Sequence, residues 1–206
     1  MAKVLLCDGH NLAFRAFYGL TDLSRSDGFP TNMIHGWLRT FWRLEDDEKP
    51  DIVRVYFDKG ASQRREELLP EYKANRDAMP EDLRAQIDPL LDTIPAMGLP
   101  LLRVEGVEAD DVIGTLCRQA ANAGMDVLVS TGDKDMAQLV NDKVTLVNTM
   151  TGSRLDRDGV KEKFDVYPEQ IIDWLALVGD ASDNIPGVPK VGAKTAAKWL
   201  NEYGTA

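Results

Sequence analysis

Five short runs of apolar, mostly branched residues punctuate the first three-quarters of the chain, at positions 4–7, 52–57, 101–104, 127–130 and 144–147. They are too short for helices and too continuously apolar for half-solvated strands. The pattern therefore predicts strands buried on both faces of a largely parallel sheet. Between them, residues 31–44 and 109–123 carry apolar side chains at helical spacing, with Thr31 a candidate N-cap. Residues 80–97 show the same period, but Pro89 and Pro95 predict a kink or break within it. Alternation of this kind predicts an α/β sandwich with helices on both faces of the sheet. After about residue 150 an apolar helix over 168–178, a turn-rich stretch over 179–192 and a second helix over 193–200 predict a small helical appendage.

Residues 59–76 break the alternation. They hold five basic residues (Lys59, Arg64, Arg65, Lys73, Arg76), three acids and little apolar material, directly after a strand end. A solvated loop accounts for that composition; a mobile element over an active site is the sharper reading.

Composition narrows the class. The 206 residues are 44% hydrophobic and 28% charged, ordinary for a globular domain and against disorder. No apolar run approaches the roughly 20 residues of a membrane span. Lys3 and Asp8 interrupt the amino terminus too early for a signal peptide. Two cysteines, Cys7 and Cys117, form no Cys-x-x-Cys pair and read as small buried apolar residues. Trp37, Trp42, Trp174 and Trp199 fall on apolar helix faces and are expected in the core. The expected compartment is the cytoplasm. The net charge of −10, from 24 Lys+Arg against 34 Asp+Glu, argues at first sight against a nucleic-acid partner.

The placement of the acids answers that objection. In open α/β sheets, chemistry sits beyond the carboxyl ends of the strands. Asp8 follows the first strand, Asp58 the second, Glu108-Ala109-Asp110-Asp111 the third and Asp133-Lys134-Asp135 the fourth, while Asp180 and Asp183 lie in the tail. Turn and N-cap preferences explain any one of them alone. Nine at one edge would repel strongly unless cations neutralised them. Oxygen ligands without Cys or a His cluster favour Mg²⁺ or Mn²⁺, and two such ions, about four positive charges, suit in-line attack on phosphodiesters. Lys73 and Arg76 then supply charge for gripping a phosphate, as does Arg15. The stretch Gly187-Val188-Pro189-Lys190-Val191-Gly192-Ala193-Lys194-Thr195-Ala196-Ala197-Lys198 adds three lysines and no acid in a Gly-bracketed turn before a helix. Such a turn offers backbone N–H groups to phosphates.

With these residues in view, the chain resembles the 5′ nuclease (flap endonuclease) superfamily, in the branch that forms the amino-terminal 5′-3′ exonuclease domain of bacterial DNA polymerase I. The stretches that carry the resemblance are 72–76, 106–116, 130–140 and 173–197. It implies a PIN-like core over 1–150 with a helical arch near 59–80, and a helical DNA-binding region with a helix-three-turn-helix motif over 151–206. It assigns Asp8, Asp58, Glu108, Asp110 and Asp111 to a first metal ion, and Asp133, Asp135, Asp180 and Asp183 to a second, with Asp111 near both. It places Tyr72, Lys73 and Arg76 at the scissile region and Arg15 on a phosphate. Gly187, Val188, Lys190, Val191, Gly192, Lys194, Thr195 and Lys198 match the duplex-binding motif, which in the family also holds K⁺. The implied substrate is DNA with a 5′ flap, nick or 5′ end, or an RNA primer on DNA, bound by a monomer in primer removal and repair. Two departures stand out. Lys190 stands where relatives commonly have Gly, and the chain ends at Ala206 where the family's nuclease domains continue, so a piece of a longer protein and a compact stand-alone nuclease are both open.

Two other enzyme classes place acids at strand ends. A Toprim-like site would leave Asp8, Asp58, Asp180 and Asp183 unexplained, and a haloacid-dehalogenase-type phosphatase needs Asp-x-Asp where Asp8-Gly9-His10 stands. A catalytically weak DNA-junction-binding fragment is the alternative of a different class.

Overall fold

The computed structural model describes residues 2–149 and 151–206, so the domain limits at 1 and 150 fall on positions outside the described residues. The apolar runs form β1 (Lys3–Asp8), β2 (Ile52–Tyr56), β3 (Leu101–Leu102), β4 (Asp126–Ser130) and β5 (Val144–Asn148). These five are mutually parallel, in the order β3-β2-β1-β4-β5. A short strand β6 (Ser153–Leu155) closes one edge in the antiparallel sense. The expected third strand is only two residues long, because Arg103 and Val104 leave the sheet exposed. No apolar run announces β6, whose residues are Ser, Arg and Leu.

Helices α1 (Gly9–Gly19), α2 (Asn32–Glu48), α3 (Gln63–Leu68) and α4 (Glu81–Ala96) precede α5 (Ala109–Asn122), and α6 (Arg157–Phe164), α7 (Ile171–Val178) and α8 (Ala193–Tyr203) follow. The pleat of β1 divides the core. Leu5 and Cys7 pack with Leu12, Trp37, Phe41 and Leu90 from α1, α2 and α4. Val4 and Leu6 pack with Ile113 and Cys117 of α5, in a cluster that runs on to Trp174 and Leu200 of the tail. The tail helices are thus continuous with the second apolar layer. Both cysteines are buried and free, as expected, and burial pushes both thiols up, Cys117 to about 12.

Several expectations need correction. Trp37 and Trp174 are buried, but Trp42 is 50% and Trp199 39% exposed, because each helix has an outer face that periodicity alone did not separate. Pro89 and Pro95 do not break α4; burial of Leu83, Leu90 and Ile94 holds it continuous from Glu81 to Ala96. Thr31 stands at the N-cap position of α2, yet its hydroxyl donates to the Leu23 carbonyl and makes no cap bond. The segment expected as a loop over 59–76 contains α3.

The chain order reverses at the centre of this sheet: β2 and β3 lie to one side of β1, β4 and β5 to the other. That reversal opens a crevice beyond the carboxyl ends of β1 and β4, where ligands of open α/β sheets bind. No helix among the described residues is long and apolar enough to cross a membrane.

Candidate active site

Asp8 ends β1 and caps α1, accepting from the Asn11 N–H at 3.0 Å and from the Thr131 hydroxyl at 2.9 Å. Its structural and chemical roles therefore coincide. Asp58, just beyond β2, accepts from the Ala109 N–H at 2.6 Å and lies 3.2 Å from His10 Nδ1. Glu108 is buried at the start of α5, and Asp110 and Asp111 fill the first turn of that helix. Thr131 connects the next strand end, since its Oγ1 also accepts from the Asp133 N–H at 3.1 Å. Asp133 in turn accepts from the Asp135 N–H at 3.0 Å.

The tail supplies the remaining acids through a tight hairpin. Strands β7 (Gly179–Asp180) and β8 (Ile185–Pro186) pair antiparallel directly after α7. A side chain at Gly187 would collide with the Val178 carbonyl and the Gly179 backbone, so the hairpin closes only with glycine there. Asp135, Asp180 and Asp183 consequently converge, with one carboxylate oxygen from each lying within 4.8 Å of the others. Asp180 is pinned by the Ser182 N–H at 2.9 Å and by Lys134 at 3.3 Å. Asp135 Oδ1 is buried and has no hydrogen-bond partner among the described residues. A residue with an orphaned, buried carboxylate oxygen, clustered with two further carboxylates, fits a divalent cation by donor chemistry and by charge.

Cations from the 59–76 segment lie across this cluster. Lys73 Nζ is 2.9 Å from Glu108 and 4.0 Å from Asp183, and Arg76 Nη2 is 2.6 Å from Asp183. The Tyr72 hydroxyl donates to Glu108 at 3.1 Å or Asp183 at 2.9 Å. Burial and the Asp183 carboxylate push that hydroxyl up, so it stays a donor. Backbone contacts fasten the same strap: Lys73 N–H to the Asp183 carbonyl at 3.0 Å and Asn75 to the Ala181 carbonyl at 2.7 Å. Lys73 itself sits at φ 56, a left-handed conformation uncommon for a residue with a side chain.

The strap leaves the acids open on two sides. A cavity of about 810 Å³ is lined by Asp8, Asp58, Asp133, His10, Lys73 and Arg76, and one of about 640 Å³ by Glu108, Asp111, Asp135 and Arg65; Asp110 and Asp183 line both. Asp111 is not among the converging trio, because Arg65 grips it at 2.6 and 3.0 Å. Arg15 lies across Gly132, where any side chain would displace it, and donates to Asn148 at 2.6 Å. Lys190, Lys194 and Lys198 are exposed around the start of α8, with Lys190 at φ 67. The contributions of Thr131, Ser182, His10 and Arg65 escaped the sequence reading. For Thr131 a signal existed, a hydroxyl directly after a strand end and two residues before an acid.

Crowding shifts the carboxyls. Burial first, then the charges of Asp8, Asp133 and Asp58, push Asp110 up to about 8. Burial with Asp133 and Asp180 pushes Asp135 up to about 7. Burial pushes Asp8 up to about 6 against its hydrogen bonds. For Asp58 burial also raises the pKa, but hydrogen bonds from His10 and the Ala109 N–H outweigh it and hold the carboxyl low. The Ser182 hydrogen bonds and Lys134 do the same for Asp180. A carboxyl raised on folding favours the folded state while protonated in it, and that contribution is lost as pH rises through the folded value. The metal-free melting temperature is therefore expected to fall from about pH 4, where these carboxyls ionise in the unfolded chain, to about pH 8, where the last of Asp8, Asp135 and Asp110 ionises in the folded one. The low values of Asp58 and Asp180 matter only in more acidic solution. Divalent ions bind the ionised carboxylates, so their stabilisation should grow over the same range. Thermal melts in EDTA and in Mg²⁺ check this; a fall in EDTA that Asp110→Asn leaves undiminished contradicts it.

Residues 3–165 match the family model of the 5′-3′ exonuclease N-terminal resolvase-like domain, and residues 166–206 that of the 5′-3′ exonuclease C-terminal SAM fold. DNA polymerase I of Pseudomonas aeruginosa is 56% identical over 203 residues, covering 98% of this chain but 22% of that protein. The chain thus spans about a fifth of that relative's length. A 5′-3′ exonuclease of Aquifex aeolicus is 40% identical over 205 residues, covering 100% of this chain and 71% of that protein. Among solved structures, zinc-bound T5 5′-exonuclease superposes with a TM-score of 0.82 at 28% identity, over 98% of this chain and 76% of its own. A bacteriophage T5 flap endonuclease complex with DNA and metal ions gives 0.81 at 26% identity, over 99% and 76%.

Proposed function

The chain belongs to the 5′-3′ exonuclease family, and from that premise we propose that it hydrolyses DNA phosphodiesters at 5′ ends and flap junctions with two divalent ions. The observation that carries the reading is the convergence of Asp135, whose Oδ1 is buried and unpartnered among the described residues, with Asp180 and Asp183, where Lys73 and Arg76 of the strap meet Asp183. Asp8, Asp58, Glu108, Asp110 and Asp111 would hold one ion, and Asp133, Asp135, Asp180 and Asp183 the other. Mg²⁺ or Mn²⁺ suits this all-oxygen donor set. When bound, the ions supply Lewis-acid stabilisation of charge on the reacting phosphate.

The protein's own groups do the positioning. Lys73 and Arg76 direct positive charge at the phosphate, Tyr72 donates a hydrogen bond beside it, and Arg15 takes a phosphate at the rim. The 810 Å³ cavity admits the strand from one side of the strap. Duplex binding falls to a helix-three-turn-helix motif formed by α7, the β7–β8 hairpin and α8. There the exposed Lys190, Lys194 and Lys198 meet phosphates, Gly187, Val188, Val191, Gly192 and Thr195 shape the turn, and backbone carbonyls could take K⁺. In this reading residues 1–150 are the nuclease core with the arch, and 151–206 the DNA-binding region. The enzyme acts as a cytoplasmic monomer in primer removal and repair, on DNA or on an RNA primer paired to DNA.

Incubation of a labelled 5′-flap duplex tests it. Short 5′ fragments are expected in Mg²⁺ and none in EDTA; an intact duplex, or cleavage that survives EDTA, contradicts it. A narrower prediction concerns the hairpin. Because Lys190 sits at φ 67, Lys190→Gly relieves backbone strain, raising stability by up to about 1 kcal/mol. It also removes one phosphate contact, which flattens the salt dependence of duplex binding by about one unit, and Lys194→Ala does the same. Chemical denaturation and salt titrations check both; unchanged salt slopes would remove these lysines from the interface.

A further inference from the structure

α3 has no buried residue of its own. Its firmest side-chain attachment to the body is Arg65, whose Nη1 and Nη2 grip the two oxygens of Asp111 at 2.6 and 3.0 Å. Nη1 also lies 3.4 Å from Glu108, and the guanidinium carbon is 6.0 Å from the centre of the Tyr72 ring. The pair is open to solvent: the Arg65 side chain is 34% and that of Asp111 46% exposed. The fork geometry makes the pair more than a loose surface contact, but solvent reaches both side chains, and so can a competing cation. Arg65 therefore holds α3 to α5 by a contact that a competing cation can displace.

Two features say what the contact is for. Asp111 is one of the acids that the proposed function gives to a divalent ion, so Arg65 and that ion compete for the same oxygens. The two parallel donors of a guanidinium fit a phosphate as well as a carboxylate. Arg65 also lines the 640 Å³ cavity, whereas Lys73 and Arg76 line the 810 Å³ one on the other side of the strap. A strand gripped by Lys73 and Arg76 alone would be held from one side only.

We propose that Arg65 is a phosphate-binding residue of the arch that rests on Asp111 until a divalent ion releases it, and then takes a DNA backbone phosphate from the α3–α5 side. The inference rests on the nuclease reading of the site. Metal and DNA binding are thereby coupled through one side chain: the ion takes the carboxylate, and the freed guanidinium takes the phosphate. Arg65 is a positioning residue for substrate, and α3 moves with it.

The coupling is read without catalysis. Mg²⁺ alone is titrated calorimetrically into the full chain, into Arg65→Ala and Arg65→Lys, and into Arg64→Ala, whose side chain is exposed and removes the same charge. Binding of a 5′-flap duplex is then measured in EDTA and in Ca²⁺. Arg65→Ala should bind Mg²⁺ about fivefold tighter, since its competitor is gone. It should lose about tenfold in flap affinity in Ca²⁺ and clearly less in EDTA, where the parent's Arg65 is still engaged by Asp111. Arg65→Lys, which keeps the charge but not the fork, should fall between, and Arg64→Ala should leave Mg²⁺ affinity at the parent's value. Mg²⁺ affinity in Arg65→Ala no higher than in the parent, or flap losses equal in the two buffers, overturns the proposal. Should the parent fail to cleave the flap in Mg²⁺, the nuclease reading fails, while the Mg²⁺ titrations still report the exchange at Asp111.

Discussion

Asp135→Asn is expected to lower single-turnover cleavage of a 5′-flap duplex by about a thousandfold or more, and to leave the metal-free chain as stable as the parent or more stable. The two halves have one cause. Asp135 carries the buried oxygen that no group among the described residues satisfies, and burial with Asp133 and Asp180 has already pushed its carboxyl up to about 7. Above that pH its charge is a cost to the fold unless a cation neutralises it. An amide of the same shape removes the charge and can donate to Asp180 or Asp183, but it is a poor ligand for a hard divalent ion. Asp111→Asn should behave differently, because it forfeits the Arg65 pair and gains no such relief. Single-turnover rates and EDTA melts of the two variants check this. Loss of metal-free stability in Asp135→Asn would make the residue an ordinary structural acid.

Lys73→Ala is expected to slow the cleavage step by about a hundredfold to a thousandfold while weakening flap binding less than tenfold. The ammonium sits 2.9 Å from Glu108 and 4.0 Å from Asp183, at the centre of the carboxylate cluster rather than along a groove. Charge placed there acts on the negative charge that grows on the reacting phosphate, and does little for the distant duplex. The strap should survive the change, because its backbone bond from Lys73 to Asp183 and the Asn75 contact to Ala181 do not involve the ammonium. Rate and affinity measured on the same preparation decide it. Equal losses in both would reduce Lys73 to a uniform binding contact.

The carboxylate edge was legible because of where the apolar runs stop. Asp8 ends a strand and Asp58 and Asp133 lie just past one, and parallel strands bring their ends to one edge whatever their order. The strap was only half legible. Composition marked 59–76 as an element apart, and the resemblance gave Lys73 and Arg76 their place. Neither could show the seam between residues 71–76 and 181–184, whose partners lie more than a hundred positions apart in the chain. Arg65 was counted only as one of five basic residues, because nothing in its local sequence singles it out from Arg64. The exposed Trp42 and Trp199 show the limit of helical periodicity, which finds an apolar stripe but not its edges. Pro89 shows the limit of local propensity, overridden where Leu83, Leu90 and Ile94 are wholly buried.

The melting temperature as a function of Mg²⁺ concentration tests most directly whether the acids form one metal centre. An ion that binds only the folded chain stabilises it as the logarithm of its concentration above the dissociation constant. The parent is therefore expected to start low in EDTA and climb steadily with Mg²⁺, and Asp135→Asn to start as high or higher and climb less. A parent whose melting temperature does not respond to Mg²⁺, or an Asp135→Asn variant that gains as much from the ion as the parent does, would contradict the account.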